Sequence, residues 1–306
     1  MRETDSADLS NDVVKTERVV MINKKILKSI NNLPAFPATV QKASELIGNP
    51  DYSITELVNV IQYDQAITAN VLRMCNSVYF GVRYKIFTLR EAVAYLGREN
   101  LHRLIQAAGT SRFYKKVKGY YLEATRLWEH SVGVALMSRI LAKKIYGQED
   151  LKLFTTGLLH DIGKVVLGEY VHESFQEIMD LVSNQGYSFL EAEEKVIGIN
   201  HAEVGGEITR LWEFPMEMTE AITYHHRPDL IKRGDDTIPW LIYLADQACL
   251  MMGIGGGEDG LAYRGLGEVI DKFGLCQRDI EECIVLLLED FESAKELVNL
   301  VESGEI

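Results

Sequence analysis

Hydrophobic residues recur with a helical period along most of the chain. From Asn32 onward, apolar side chains are spaced three or four positions apart, which places them on one face of an α-helix. The stripes of the first hundred residues are Val40, Ala43, Leu46, Ile47; Ile54, Leu57, Val58, Ile61; Ile67, Val71, Met74, Cys75; and Ala92, Val93, Leu96. Strands are hard to place anywhere in the sequence. The pattern therefore predicts an all-α protein.

The same period continues in the second half of the chain. Its stripes are Trp128, Val132, Leu136, Ile140 and, near the end, Ile280, Cys283, Ile284, Leu287, Leu288, Phe291. Gly97 and Gly147 directly follow helical stripes, and glycine commonly ends a helix because it readily adopts a left-handed conformation. We expect helices to stop at both glycines.

Breaks in the periodicity divide the chain into four segments. Residues 1–21 are polar and predict a disordered tail. A charged stretch at 115–119 separates an N-terminal helical part, residues 22–118, from a histidine-bearing part, residues 119–260, and residues 261–306 form a C-terminal helical extension. The glycine-rich segment 253–260 lacks the GK[ST] ending of a phosphate-binding loop, so we interpret it as a flexible linker.

The composition limits the classes of partner and location. The formal net charge of −13 repels nucleic acid and anionic membranes, so we expect neither as a partner. The longest apolar runs are far shorter than the roughly 20 residues that cross a bilayer. The four cysteines show no CxxC pairing and the N-terminus has no apolar signal core, which together favour the cytoplasm.

Histidine placement is the strongest chemical signal in the sequence. Five of the seven histidines fall in four short contexts. Those contexts are His130 in LWEHS, His160 and Asp161 in GLLHDIGK, His201 in NHAEVG, and His225 and His226 in YHHRP, with Asp246 in LADQA further on. Imidazole and carboxylate together suit Fe, Mn, Zn and other divalent metals, and this number of ligands is enough for two ions.

An adjacent histidine and aspartate offer one ion a nitrogen and an oxygen while the carboxylate spans to a second ion. Two ions roughly 3.5–4 Å apart can clamp a phosphoryl group and activate a water. Lys164, one turn after Asp161, is placed to reach a phosphate oxygen, and Arg227 offers a forked donor beside His226.

Each of these residues also has a purely structural interpretation when taken alone. A single histidine such as His130 is commonly a packed core residue, and His225 with His226 could cap a helix before Pro228. Asp246 alone could be an N-cap or half of an ion pair. Spacing does not decide between these alternatives.

The combination of motifs resembles the HDOD family (HD-related output domain), a bacterial branch of the HD metal-phosphohydrolase superfamily. GLLHDIGK is similar to the superfamily signature, and the ordered set from His130 to Asp246 is similar to the ligand series of HD-GYP phosphodiesterases. The segments LPAFP (33–37), LRMCNS (72–77) and EAVAYLG (91–97) match HDOD proteins. The resemblance covers about residues 25–230.

The resemblance implies a multi-helical fold in which an N-terminal helical subdomain precedes an HD-like one. It implies a two-metal centre held by His130, His160, Asp161, His201, His225, His226 and Asp246. Arg126 stands where some relatives have a glutamate for a third ion, so we expect two. Iron or manganese is favoured, with zinc or nickel as alternatives.

The function expected from this resemblance is signal transduction through binding of a partner signalling protein or a small phosphorylated ligand. The alternative is a two-metal phosphohydrolase acting on a nucleotide or phosphate ester. In it Asp161 bridges the ions, Lys164 offsets phosphoryl charge and Arg227 contacts the ligand. The apolar stripe of the C-terminal helix also makes a homodimer conceivable.

Overall fold

Every regular element in the described part of the chain is helical. The computed structural model describes residues 21–49, 51–62, 64–76, 82–114, 124–148, 150–231, 237–255 and 268–293. No strand occurs within these ranges, so the predicted all-α fold is confirmed. None of the described helices is both long enough and apolar enough to cross a membrane.

The described residues of the N-terminal part form five helices. They are α1 (residues 21–31), α2 (Ala38–Gly48), α3 (Ile54–Ile61), α4 (Gln65–Cys75) and α5 (Leu89–Tyr114). α5 packs against α2, α3 and α4 on one side and against α6 and α7 of the following part on the other. α5 therefore connects the two halves of the fold.

The histidine-bearing part contains α6 (Ala124–Tyr146), α7 (Leu151–Leu159), α8 (Gly163–Gln185), α9 (Phe189–Ile197), α10 (His201–Leu211), α11 (Met216–Tyr224) and α12 (Thr237–Met251), with a 3₁₀ turn at Pro228–Leu230. α6 is central to it and packs against α7 and α12. The C-terminal helices are α13 (Glu268–Lys272) and α14 (Gln277–Ser293). α14 also packs on α6, through the buried Ile280, Cys283, Leu287 and Phe291.

Several helix ends follow from local chemistry in the sequence. Gly97 has a φ of 74° and kinks α5, so the helix bends there and continues to Tyr114 instead of stopping as predicted, whereas Gly147, with a φ of 73°, directly follows the end of α6. The Asn76 side chain donates to the carbonyls of Leu72 and Ile86, both at 2.7 Å, and accepts from the Ile86 N–H at 2.7 Å. Asn76 therefore closes α4 and fixes the chain that leads into α5.

The LPAFP segment has a packing role as well as a role at the entry to α2. Pro37 precedes the first residue of α2, as expected for a helix entry. Phe36 also packs into an aromatic cluster, with ring centroids 5.4 Å from Trp212 and 5.0 Å from Phe214. Phe113, near the end of α5, lies 4.8 Å from Trp212 in the same cluster. These rings join the N-terminal helices to the end of α10.

The glycine-rich segment differs from its interpretation as a linker where the structure describes it. Ile254 is buried, and its carbonyl accepts a hydrogen bond from His130 Nδ1 at 3.0 Å. A Cβ at Gly255, which has a φ of 64°, would overlap the Arg126 carbonyl. The linker interpretation is therefore wrong for residues 253–255, which form a packed turn. Residues 256–260 and the charged break at 115–119 lie outside the described residues.

Candidate metal centre

The side chains of all seven predicted ligands converge at one buried point. Five different segments supply them. His130 lies within α6, His160 and Asp161 lie in the turn between α7 and α8, and Asp246 lies within α12. His201 is the first residue of α10, and His225 and His226 directly follow α11. Their exposed fractions range from 0% to 7%, so bulk water is largely excluded from the cluster.

Local sequence chemistry positions three of these residues, His160, Asp161 and His201, at helix ends. Asn200 and Glu203 form a reciprocal capping box that starts α10 at His201. Asp150 caps the start of α7, whose nine residues end just before the His160–Asp161 turn. Short, well-capped helices therefore deliver their terminal side chains to a common centre.

The cluster separates into two groups of ligands that share Asp161. Atoms of Asp161, His201, His225 and His226 lie within 4.8 Å of one another. Atoms of His130, His160 and Asp161 satisfy the same limit. Each group offers enough nitrogen and oxygen donors for one ion.

Asp161 spans the two groups with its two oxygens. Oδ1 lies 3.4 Å from His201 Nε2 and 3.7 Å from His225 Nε2. Oδ2 lies 3.4 Å from His160 Nε2 and 3.9 Å from His130 Nε2. This is the arrangement required of a carboxylate that bridges two ions.

Asp246 spans the same two groups from the other side. Its Oδ1 lies 3.0 Å from His130 Nε2 and 3.8 Å from His160 Nε2. Its Oδ2 lies 3.6 Å from His226 Nδ1. Two carboxylates thus face both histidine groups.

Hydrogen bonds at Nδ1 orient four of the histidine rings. His160 Nδ1 donates to the Gly157 carbonyl at 2.8 Å, and His225 Nδ1 donates to the Ile222 carbonyl at 2.7 Å. His130 Nδ1 donates to the Ile254 carbonyl at 3.0 Å, and His201 Nδ1 donates to the Glu193 carboxylate at 2.7 Å. Because Nδ1 is taken up by these bonds, Nε2 is the nitrogen of each ring that faces the centre, as a metal ligand requires.

Neighbouring charges keep both carboxylates ionised. Burial alone would raise the pKa of Asp161, but the charges of Lys164 and His160 outweigh it and hold the pKa well below its usual value. Burial would likewise raise the pKa of Asp246, but the hydrogen bond and charge of His130 lower that pKa below its usual value. Ionised carboxylates are the form that binds metal.

The pKa values of the histidines are shifted in opposite directions. Burial, followed by the charge of His225, holds the pKa of His226 well below its usual value, and burial also lowers the pKa of His225. Burial lowers the pKa of His130 too, but the hydrogen bond and charge of Asp246 outweigh it, so that pKa is raised. The pair after α11 is therefore neutral and ready to coordinate at neutral pH.

At least four potential metal-ligand atoms of the cluster have no hydrogen-bond partner among the described residues. They are His160 Nε2, Asp161 Oδ1, His225 Nε2 and Asp246 Oδ2. Buried polar atoms are normally satisfied, so several without a partner at one point are typical of a ligand-binding site. Because these donors are imidazole nitrogens and carboxylate oxygens, the residues fit divalent transition-metal ions.

The two predicted cationic residues lie in different environments. Lys164 is buried, and its Nζ lies 2.8 Å from Asp161 Oδ2 at the edge of the cluster. The Arg227 side chain is about half exposed and forms a forked ion pair with Asp229, with contacts of 3.0 and 3.1 Å. The structure therefore brings Lys164 to the centre and leaves Arg227 at the surface.

Glu193 belongs to the site although the sequence did not single it out. It is fully buried on α9, and its Oε2 accepts from His201 Nδ1 at 2.7 Å and from the His201 backbone N–H at 3.1 Å. Its helical stripe could have revealed it, because Phe189, Val196 and Ile197 lie on the same face. A carboxylate on that apolar face signals a buried partner.

Replacement of Glu193 by glutamine is expected to weaken Mn²⁺ binding by about 10- to 100-fold. The amide lacks the negative charge that makes His201 a better ligand and fixes its ring. Isothermal titration of metal-free protein with Mn²⁺ measures the change. E194Q, at the exposed neighbouring position on α9, is the matched control. Equal affinities in E193Q and wild type would show that Glu193 does not support the centre.

Comparison with known proteins gives one family match. The family model for the HDOD domain matches residues 33–228. A 202-residue region is 24% identical to an uncharacterised protein of Treponema pallidum (strain Nichols) and covers 66% of this chain. It covers 39% of that protein, so the chain spans about two fifths of its relative's length.

Solved structures share the fold. An HDOD domain protein of unknown function from Geobacter sulfurreducens aligns with a TM-score of 0.71 at 24% identity, over 95% of this chain and 99% of that chain. A protein from Shewanella amazonensis SB2B, provisionally named a phosphohydrolase, aligns at 0.68 and 22% identity over 90% and 97%. One from Marinobacter aquaeolei VT8, provisionally named a signal transduction protein, aligns at 0.67 and 19% identity over 93% and 66%.

Proposed function

The chain belongs to the HDOD family, and from this premise we propose that it is a cytoplasmic signal-transduction protein with a two-metal HD-type centre. The observation that carries the proposal is the position of Asp161, whose two oxygens face two separate groups of histidines. Iron or manganese fits the mixed imidazole and carboxylate donors best. The signal is passed on through binding of a partner protein or a small phosphorylated ligand.

Burial of the centre favours regulation. All seven candidate ligands are almost inaccessible, so bound ions would be retained and a large substrate would need the protein to open. Such a centre is suited to stabilising one conformation of the surrounding helices, because metal binding to a folded site adds to its stability.

A hydrogen-bonded path joins the centre to the N-terminal helices. The hydroxyl of Tyr114, the last residue of α5, donates to the Leu158 carbonyl at 2.9 Å. Leu158 lies two residues before His160, and Ser131 Oγ, next to His130, donates to the same hydroxyl at 3.2 Å. A displacement of the metal ligands would therefore be transmitted through these hydrogen bonds to the end of α5. α5 in turn packs on α2, α3 and α4.

Addition of Mn²⁺ to metal-free protein is expected to slow hydrogen exchange both in the α7–α8 turn and in the last turns of α5. In Y114F, which lacks the hydroxyl, the turn should still be protected while the effect on α5 is reduced. Hydrogen–deuterium exchange read by mass spectrometry measures both regions. Y84F, at a highly exposed position, is the control. Protection of the turn without any change in wild-type α5 would contradict the regulatory proposal.

A phosphohydrolase is the second candidate, and the position of Lys164 favours it. Its buried ammonium lies at the edge of the cluster, where it could offset charge on a phosphoryl oxygen. Two bound ions would clamp the phosphoryl group and lower the pKa of a water. The provisional name of the Shewanella amazonensis protein agrees with this alternative. Arg227 would contact such a ligand only after leaving Asp229.

For this second candidate, Mn²⁺-loaded protein is expected to hydrolyse at least one member of a panel of phosphomonoesters, nucleotides and cyclic dinucleotides. K164M should keep its metal but lose about 10- to 1,000-fold in kcat, since it removes one electrostatic contact to the transition state. K195M, at an exposed position on α9, is the matched control. Equal background rates in wild type and D161A would eliminate hydrolysis and leave the regulatory proposal standing.

A further inference from the structure

A cavity of about 470 Å³ lies between the N-terminal helices and the histidine-bearing part. α2, α5, the start of α7 and the loop between α10 and α11 surround it. Its volume lies within the usual range of small-molecule sites. It shares no lining residue with the metal centre.

The cavity has aromatic and apolar walls. The rings of Phe36 and Phe214 both line it, with centroids 5.0 Å apart at an angle of 77°. Pro215 and Met218 extend the apolar surface towards α11. Such walls favour a flat, weakly hydrated ring as the occupant.

Uncharged polar side chains form another part of the lining. His102 Nε2 lies 2.9 Å from Ser44 Oγ and 3.1 Å from Gln106 Nε2, and Gln106 Nε2 also donates to Thr155 Oγ1. Burial, followed by the charge of Arg103, lowers the pKa of His102 to about 4. The ring is therefore neutral at neutral pH, with one nitrogen as donor and the other as acceptor.

This polar cluster has hydrogen-bonding capacity that the described protein groups leave unused. His102 Nδ1 and Gln106 Oε1 are buried and have no hydrogen-bond partner among the described residues, so an occupant would reach them only after these side chains rotate. A lining that combines an amide, an imidazole and hydroxyls can match a ring edge that carries donors and acceptors side by side. Nucleobases and related heteroaromatic amides have such an edge.

Charges around the cavity oppose an anionic occupant. The exposed carboxylates of Glu45 and Glu213 line it. The ammonium of Lys152 is already paired with Glu217 at 2.5 Å. A phosphate group would meet net negative charge.

Glu213 also has a φ of 58°, a left-handed backbone conformation that non-glycine residues rarely adopt. The backbone geometry of the loop between α10 and α11 is therefore specific at this position.

Three helices connect this cavity to the metal centre. α7 contributes Thr155 to the cavity and leads directly to His160. α10 begins at His201 and ends next to the cavity loop, about 16 Å away along its axis. α11 begins directly after Pro215, which lines the cavity, and ends directly before His225. An occupant would contact the far ends of three helices that carry candidate metal ligands.

We propose that this cavity is a binding site for a neutral heteroaromatic molecule of the nucleobase type. The proposal goes beyond the proposed function, since it requires no metal, and its failure would leave the metal centre untouched. Binding is therefore tested on protein freed of metal with a chelator and again after loading with Mn²⁺.

The probes are adenine, hypoxanthine, cytosine and uracil, with binding followed by saturation-transfer NMR and quantified by isothermal titration. Gly48 lines the cavity, and a Cβ there would meet no atom within 4 Å, so a side chain can begin at this position without a clash and G48W adds bulk at the cavity wall. G48A is its matched control. Q106L removes the central amide from the polar cluster.

At least one base is expected to bind wild type and G48A in both metal states, with affinity at least about 10-fold lower in G48W and Q106L. Adenosine monophosphate should bind more weakly than adenine because of Glu45 and Glu213. Absence of binding by all four bases would overturn the proposal. So would equal binding to wild type and G48W, or tighter binding of the phosphorylated form.

Discussion

Replacement of Asp161 by asparagine is expected to reduce the metal content from two ions per chain to less than one. Asp161 is the residue whose oxygens face both histidine groups, so the change removes a charged ligand from each ion at once. It also leaves the buried Lys164 ammonium without its counterion 2.8 Å away. An uncompensated buried charge should cost about 3 kcal/mol in the free energy of unfolding.

Elemental analysis after reconstitution with Mn²⁺ or Fe²⁺ measures the metal content, and urea unfolding of the metal-free proteins measures stability. D180N makes the same chemical change at an exposed position on α8 and should behave like wild type. The double variant D161N/K164M separates the two effects, because it should recover stability without recovering metal. Two ions per chain in D161N would show that Asp161 does not bridge the centre.

Replacement of Gly163 by alanine is expected to disrupt the centre from outside the ligand set. Gly163 starts α8, and a Cβ there would overlap the His201 carbonyl oxygen and come within 2.7 Å of the Gly205 nitrogen. Both contacts are backbone atoms, which cannot rotate away. α8 and α10 would have to separate, moving Asp161 relative to His201. We expect a loss of about 3 kcal/mol in the free energy of unfolding and of most bound metal.

Thermal unfolding and elemental analysis of G163A measure both effects. G48A is the matched control, because its Cβ meets no atom and alanine is the better helix former, so its stability should be unchanged or higher by up to about 1 kcal/mol. A G163A protein with wild-type stability and two ions per chain would mean that the α8–α10 approach is not needed by the site.

The fold could be predicted largely because its signals are local. Helical periodicity and the glycines after the stripes each act over a few residues, and the structure shows the helices, the kink at Gly97 and the end of α6 before Gly147. The residues that gather at the centre could also be predicted, because imidazole and carboxylate are uncommon on apolar helices. Their resemblance to a known ligand series then indicated which of them belong together.

Other parts of the site depend on contacts between distant segments. Glu193 lies among Glu191 and Glu194 on the same helix; the apolar stripe of α9 can indicate which of the three is buried, but only the packing of α9 shows that its partner is His201. The bond from His130 is to the Ile254 backbone carbonyl, 124 residues away, which no side-chain pattern encodes. Composition alone predicted a linker there.

The surface position of Arg227 has a similar explanation. Its neighbour His226 turns into the centre, so adjacency suggested a shared role. In the structure, the carboxylate of Asp229, two residues later, provides a local partner at 3.0 Å outside the cluster. Sequence adjacency at the end of a helix does not fix the direction of a side chain.

The measurement that tests the two-metal account most directly is anomalous scattering from crystals grown with Mn²⁺. We predict two anomalous peaks roughly 3.5–4 Å apart, one beside His201 and His225 and the other beside His130 and His160, with the Asp161 carboxylate between them. No peak within bonding distance of Asp161, or manganese bound only at the protein surface, would contradict the account.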